Sequence, residues 1–179
     1  NIFSKIKPDL VLTVADRFET ISTAIVSSYM NIPLAHTQGG EVTGSIDESV
    51  RHAITKLSHY HFPASKKSKT RLLKLGEEEK RIFLTGCPSI DLINRKKLNI
   101  DRSFIKDFKF VGSKIDFKKK YIVVLYHPNT LEYQKESART QKIINIISKL
   151  SLQTVWLWPN IDAGSEKISE RLRIFREKN

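Results

Sequence analysis

Residues 36–56 read HTQGGEVTGSIDESVRHAITK. The stretch follows a short apolar run, Ile32-Pro-Leu-Ala-His36, and carries a glycine pair at 39 and 40 and another glycine at 44. Asp47, Glu48, Arg51 and His52 come next. A glycine-rich turn between a strand and a helix lets a ligand approach the backbone, and open α/β sheets bind ligands beyond the carboxyl ends of their strands. A helix is expected to begin near Ile46, with Val50, Ile54 and Leu57 facing inward. Its acidic pair, Asp47-Glu48, falls where the helix dipole favours negative charge. The segment therefore reads as strand, loop and helix, with its ionisable groups at the centre of a candidate active site.

The flanks extend the same pattern. Asp9-Leu-Val-Leu-Thr-Val14 follows Pro8 and reads as a buried parallel strand, preceded by the tail of a helix. Arg17 to Met30 places Phe18, Ile21, Ile25, Val26 and Tyr29 close to helical spacing. Downstream, His59 to Phe62 is an expected strand ended by Pro63. Ser65 caps an expected helix to Leu75, which Gly76 closes. Arg81 to Thr85 is read as a further strand, and Gly86-Cys-Pro88 leads into a helix holding Asp91. Strands and helices alternating through short connections predict a doubly wound parallel sheet.

The pattern weakens over residues 99–120, a Lys- and Phe-rich segment read as a linker with a short helix. Tyr121 to Tyr126 is then an expected buried strand ending at His127-Pro-Asn129, followed by a helix over Glu132–Leu150. A strand Thr154–Trp158, the loop Pro159–Gly164 and a terminal helix complete a second β-α-β unit. Each half has too few strands for a whole Rossmann-like domain. The expected organisation is the C-terminal part of one such domain in 1–98, the linker 99–120, and the N-terminal part of a second in 121–179.

Bulk composition narrows the classes of function. Over 179 residues, 40% are apolar and 28% charged, which excludes a disordered chain. No apolar run approaches the roughly 18–20 residues of a membrane span, so no membrane partner is expected. The first residues, NIFSKIKPDL, hold no signal-like apolar core, and the single cysteine, Cys87, is read as a small packed residue. Both features predict a cytoplasmic protein. The net charge of +12 raises nucleic-acid binding, but the lysines are spread over expected helix faces and along 106–120, and no nucleic-acid-binding signature occurs. No nucleic-acid partner is expected, and the basic surface is read as one that draws in anionic substrates.

Four candidate positions fall at the carboxyl ends of expected strands: Asp16-Arg17, His36 to Glu41 (which includes Gln38), His127-Pro-Asn129, and Asn160 to Ser165. Asp47, Glu48 and Arg51 join them from the helix, where Arg51 shares a face with each of the two acids. Carboxylates with a histidine supply proton abstraction and donation near neutral pH, and arginine with helix N-termini holds a diphosphate. That set suits a sugar nucleotide. His36, His52, His59 and His61 lack the spacing of a zinc site, and neither a P-loop nor the G-x-G-x-x-G fingerprint occurs, so no metal or cofactor is expected.

With ADRFE before the opening stretch, TGCPSID after it, and then YHPNT and WPNIDAGS, the chain resembles the UDP-N-acetylglucosamine 2-epimerase family, closest to its hydrolysing branch. The resemblance implies two Rossmann-like domains in the GT-B arrangement, with the active site between them. It implies anti elimination of UDP followed by hydration, giving N-acetylmannosamine and UDP for sialic acid-type sugars. By the same resemblance Asp16, Asp47 and His127 are catalytic. Arg17, His36, Gln38, Glu48, Arg51 and Asn160 are expected to contact substrate, and the full-length protein is expected to be a homo-oligomer.

Departures from the family pattern are equally specific. Gln38 stands where non-hydrolysing epimerases carry a catalytic Glu, and a carboxamide does not carry protons as a carboxylate does. Glu41 is the expected substitute. Ala15 replaces a Gly that commonly precedes the Asp. The late segment that binds uridine diphosphate is not in this sequence, so activity is expected to need more of the protein. Two alternatives stay open: the same chemistry on UDP-2,4-diacetamido-2,4,6-trideoxyglucose, and a GT-B sugar-nucleotide binding or glycosyltransferase module.

Overall fold

A computed structural model describes residues 2–95 and 111–178. The chain divides into two compact units, Asn1–Asn99 and Ile100–Asn179.

The first unit begins with a short helix α1 (Ile2–Ile6) and strand β1 (Val11–Val14). Helix α2 (Phe18–Tyr29), β2 (Leu34–Thr37), α3 (Ile46–Leu57), β3 (Tyr60–Phe62), α4 (Lys66–Lys74) and α5 (Pro88–Arg95) follow. The three strands form a parallel sheet in the order β1-β2-β3. Register pairs Val11 with Leu34, Thr13 with His36, and His36 with His61. Val11 and Leu34 meet Ala24, Ile32 and Ile54 in one core, with Phe3, Ile21, Met30, Val50 and Leu57 packed around it. Each aliphatic chain enclosed there contributes about 1.5–3 kcal/mol. Helix α3 starts at the expected residue because the Ser45 side chain accepts the Asp47 amide.

Two expectations need correction in this unit. Val11 and Thr13 are buried, but Leu12 and Val14 are exposed, so β1 is covered on one face rather than two among the described residues. The expected strand Arg81–Thr85 is instead a 3-10 turn at Glu79–Arg81 and one parallel bridge, His61 to Ile82. The cause lies in its neighbour: β3 is only three residues long and ends at Pro63, which has no amide to extend the ladder. Phe83 instead stacks on Phe62, ring centroids 5.5 Å apart.

The second unit pairs β4 (Tyr121–Leu125) with β5 (Gln153–Leu157) in parallel and packs α6 (Glu136–Ser148) and α7 (Ser165–Lys178) together. Ile144, Ile168 and Leu172 form its core, joined by Tyr126, Trp156 and Phe175. The helix expected from Glu132 begins as a 3-10 turn over Thr130–Lys135, with Glu132 at non-helical φ −127°, and becomes α-helical only at Glu136. Strand β4 leaves Val123 and Leu125 exposed, contrary to the buried strand expected. Within the expected linker, 99–110 lies outside the described residues, and residues 111–120 hold bends and turns rather than the short helix expected in the linker. Residue Asp116 is tied to β5, its amide donating to Gln153 Oε1 at 2.6 Å.

Candidate functional site

At the carboxyl ends of β1 and β2 the parallel ladder runs one rung beyond the strands. The Ala15 amide donates to the Thr37 carbonyl at 3.1 Å, and the Gln38 amide to the Phe62 carbonyl at 3.0 Å. Both residues then turn into the left-handed region, Ala15 at φ +57° and Gln38 at φ +59°. For a residue with a Cβ that conformation costs about 1–2 kcal/mol, so glycine would be favoured at either position. The paired reversals turn Asp16-Arg17 and Gly39-Gly40 off the sheet side by side.

A buried histidine holds the first reversal. His36 is 0% exposed, its Nε2 lies 2.7 Å from the Ala15 carbonyl, and its Nδ1 lies 3.3 Å from Thr55 Oγ1. A carbonyl only accepts, so the ring carries its proton on Nε2 and takes the Thr55 hydroxyl at Nδ1. Burial, opposed by the Ala15 hydrogen bond, pushes the ring down to about 4, so it is neutral at physiological pH. Thr55 reaches it because α3 turns Arg51, Ile54 and Thr55 inward.

Arg51 ties the two loops together. It is 3% exposed; Nη2 pairs with the Asp16 carboxylate, and Nη1 donates to the Glu41 carbonyl at 2.7 Å. Glu41 meets Arg51 through its main chain. Asp47 is half-buried on the first turn of α3, its carboxylate accepting the Ser45 hydroxyl at 3.1 Å. Glu48 turns back and takes the amides of Thr43 at 2.8 Å and Gly44 at 2.7 Å; these two hydrogen bonds hold its carboxyl below the usual range. Thus the two acids that share a helix face with Arg51 serve the loop and the cap, and the partner of Arg51 comes from another strand end. Arg17 bonds Glu19 at 3.2 Å on the surface, and the Gln38 carboxamide donates to Cys87 Sγ at 3.7 Å. Cys87 is partly exposed rather than packed away, and the amides of Ile90 and Ser89 lower its thiol from the ordinary value.

The glycine pair is dictated by packing. A Cβ on Gly40, at φ +78°, would stand 2.4 Å from the Ser68 carbonyl oxygen of α4, and one on Gly39 would press on His36 and Thr55. Arg71 of α4 donates to the Gly40 carbonyl at 3.1 Å. The loop is therefore clamped between two helices.

In the second unit the two expected positions also come together. The Asn160 amide, beyond β5, donates to His127 Nδ1, beyond β4, at 3.2 Å. Accepting at Nδ1 leaves the neutral imidazole with its proton on Nε2.

Sequence reasoning missed Thr55, Arg71 and Glu136, whose side chains serve these loops. For Thr55 a signal was present: it lies beside Ile54 and four residues after Arg51, on the inward face of an amphipathic helix. Glu136 offered none, since an acid in a first helical turn is ordinarily solvated.

The family model for UDP-N-acetylglucosamine 2-epimerase matches residues 1–178. The chain is 40% identical over 169 residues to a hydrolysing UDP-N,N'-diacetylbacillosamine 2-epimerase of Legionella pneumophila, covering 94% of this chain and 44% of that protein. It is 37% identical over 187 residues to a hydrolysing GDP/UDP-N,N'-diacetylbacillosamine 2-epimerase of Campylobacter jejuni, covering 99% of this chain and 45% of that one. The chain thus spans about half the length of the curated relatives it matches. Among solved structures it superposes on the Neisseria meningitidis UDP-GlcNAc 2-epimerase bound to UDP-GlcNAc with TM-score 0.71 and 22% identity, covering 96% of this chain and 48% of that one. The fold is accordingly α/β of the GT-B type, with parallel sheets, of which these residues form a part. The match of the family model over nearly all residues, with relatives up to 40% identical along the same span, shows that the chain belongs to the UDP-N-acetylglucosamine 2-epimerase family.

Proposed function

We propose that the whole protein is a hydrolysing UDP-sugar 2-epimerase. In this reading the C2 proton is removed, its electron pair forms the C1=C2 bond, and the C1–O bond to UDP breaks with UDP departing as the anion. Water then adds at C1 and a proton returns to C2 on the opposite face, so UDP-sugar plus water gives UDP plus the free 2-epimer. Asp16 and Asp47 carry the proton transfers, Glu41 is the further carboxylate on the same loop, and His127 donates from Nε2 toward the departing diphosphate. Arg17, Gln38, Glu48 and Asn160 bind substrate, whereas Arg51 and His36, both expected to contact it, are buried and serve the site through Asp16 and Ala15. Residues 1–98 are the end of the first Rossmann-like domain, 121–179 the start of the second, and 99–120 their link.

The observation that carries this reading is the Asp16–Arg51 pair at the end of β1. It holds a carboxylate against a buried guanidinium at a strand end, beside the Gln38 reversal, where an α/β sheet presents ligands. Identity of 40% and 37% to diacetylbacillosamine enzymes, against 30% to a Neisseria UDP-N-acetylglucosamine 2-epimerase, favours UDP-2,4-diacetamido-2,4,6-trideoxyglucose over UDP-N-acetylglucosamine. Incubating full-length protein with each UDP-sugar and following UDP and free sugar by NMR tests it. Release of UDP with the free 2-epimer, faster from the diacetamido sugar, is expected. A UDP-linked epimer with no free sugar contradicts the hydrolytic step, and inertness toward both sugars contradicts the whole reading.

A further inference from the structure

One buried carboxylate grips the chain on both sides of His127-Pro128. Glu136 is 0% exposed; its Oε2 accepts the Tyr126 hydroxyl at 2.6 Å, and its Oε1 accepts the Asn129 amide at 3.2 Å. Arg139 supplies the countercharge, donating from Nη1 to Oε1 at 2.9 Å, and its Nη2 pairs with Glu132. A charge so deep is retained only when paired and fully hydrogen-bonded. Burial, then the Glu136 acceptor, pushes the Tyr126 hydroxyl up to about 12, so it remains a donor at neutral pH.

The β5 loop rests on the same group. Gly164, at φ +94°, lies so close that an added Cβ would stand 2.9 Å from Tyr133 Cβ and 3.3 Å from both Glu136 Cγ and Pro128 Cβ. That loop brings the Asn160 amide to His127 Nδ1. Tyr126 and Asn129 from one strand end, and Gly164 from the other, therefore all meet Glu136, while His127 lies between Tyr126 and Asn129 in the chain and takes the Asn160 amide at Nδ1.

We propose that Glu136 is a positioning residue for the epimerase reaction: its carboxylate clamps Tyr126 and Asn129 and so keeps His127 with Nδ1 on the Asn160 amide and Nε2 carrying the proton. The catalytic part of this inference rests on the role given to His127 above; the tautomer part stands on the geometry alone. A carboxamide at 136 presents one acceptor and one donor where the native group accepts three bonds, so Glu136→Gln breaks the clamp without changing its size.

Full-length protein labelled with ¹⁵N-histidine reads the tautomer directly, with the His127 signal assigned by its loss in His127→Asn. The parent is expected to show the Nε2-protonated form, and Glu136→Gln a mixture of tautomers, with kcat reduced about 10–100-fold and KM within about threefold. Tyr126→Phe removes one donor, leaves Glu136 paired with Arg139, and is expected to lie between them; it decides the matter by the same readouts if Glu136→Gln does not fold. An unchanged His127 ring signal in folded variants overturns the proposal, whatever their activity. A shifted signal with unchanged kcat supports the clamp and refutes the catalytic role of His127 instead.

Discussion

The two units hold their strand-end loops by opposite electrostatic means. In the first, a neutral imidazole, His36, braces the Ala15 reversal and is satisfied by one carbonyl and one hydroxyl. In the second, a charged carboxylate, Glu136, binds a hydroxyl, an amide and a guanidinium. A neutral ring is cheap to desolvate and needs few partners, but it becomes costly once it is protonated. A buried carboxylate needs a countercharge, and Arg139 provides it. The comparison assigns acid sensitivity to the first unit through His36, and a demand for a complete hydrogen-bond network to the second.

The largest effect that sharpens the contrast is catalytic. Asp16→Asn keeps the shape at the end of β1 but removes the charge that Arg51 faces. Turnover by the full-length enzyme is expected to fall about 10²–10⁴-fold, the usual size of a general acid–base contribution, measured on folded protein whose stability is also lowered because buried Arg51 loses its countercharge. A rate near that of the parent would remove Asp16 from the chemistry.

Next in size are the two packed glycines. Gly40→Ala drives a Cβ into the Ser68 carbonyl, 2.4 Å away, at φ +78°, and is expected to cost about 2–4 kcal/mol in chemical denaturation. Gly164→Ala meets side-chain carbons at 2.9 and 3.3 Å rather than main-chain oxygen, and is expected to cost less. Equal losses would show that the loops are clamped alike.

The pH dependence of stability tests the neutral brace. The His36 ring binds its proton near pH 4 when folded against 6.5 as the ordinary value, so on acidification the unfolded chain is protonated first. The stability is present in full above about pH 6.5 and is lost as pH falls from there toward 4, by about 3 kcal/mol from this group. His36→Asn is expected to flatten that slope in urea unfolding measured from pH 7 to 4. An unaltered slope would place the acid sensitivity elsewhere. The smallest expected effect is Ser45→Ala, which removes the α3 cap seen at the Asp47 amide and is expected to cost about 1 kcal/mol.

Much of this architecture was legible in the sequence because it rests on local signals. The N-cap before Ile46, the β-branched runs at 11–14 and 121–125 and the glycine pair each encode one element. The candidate residues at strand ends followed from topology, and the structure brings Asp16 to Arg51 and His127 to Asn160. What escaped were tertiary choices. Helix spacing pairs Arg51 with Asp47 or Glu48, yet Arg51 is buried, and the carboxylate it finds there is Asp16. The strand expected at 81–85 fails because its template ends at a proline, a fact about the neighbour rather than the segment. Glu136 looks like any first-turn acid until Tyr126 and Asn129 close on it.

In the proposed function the whole protein makes and breaks the C2–H bond of a UDP-sugar. Full-length protein incubated with UDP-2,4-diacetamido-2,4,6-trideoxyglucose in heavy water tests it most directly. Deuterium at C2 of the released 2-epimer, with UDP formed in equal amount, is the predicted result. A product that keeps its original hydrogen at C2 would contradict the elimination and the account built on Asp16.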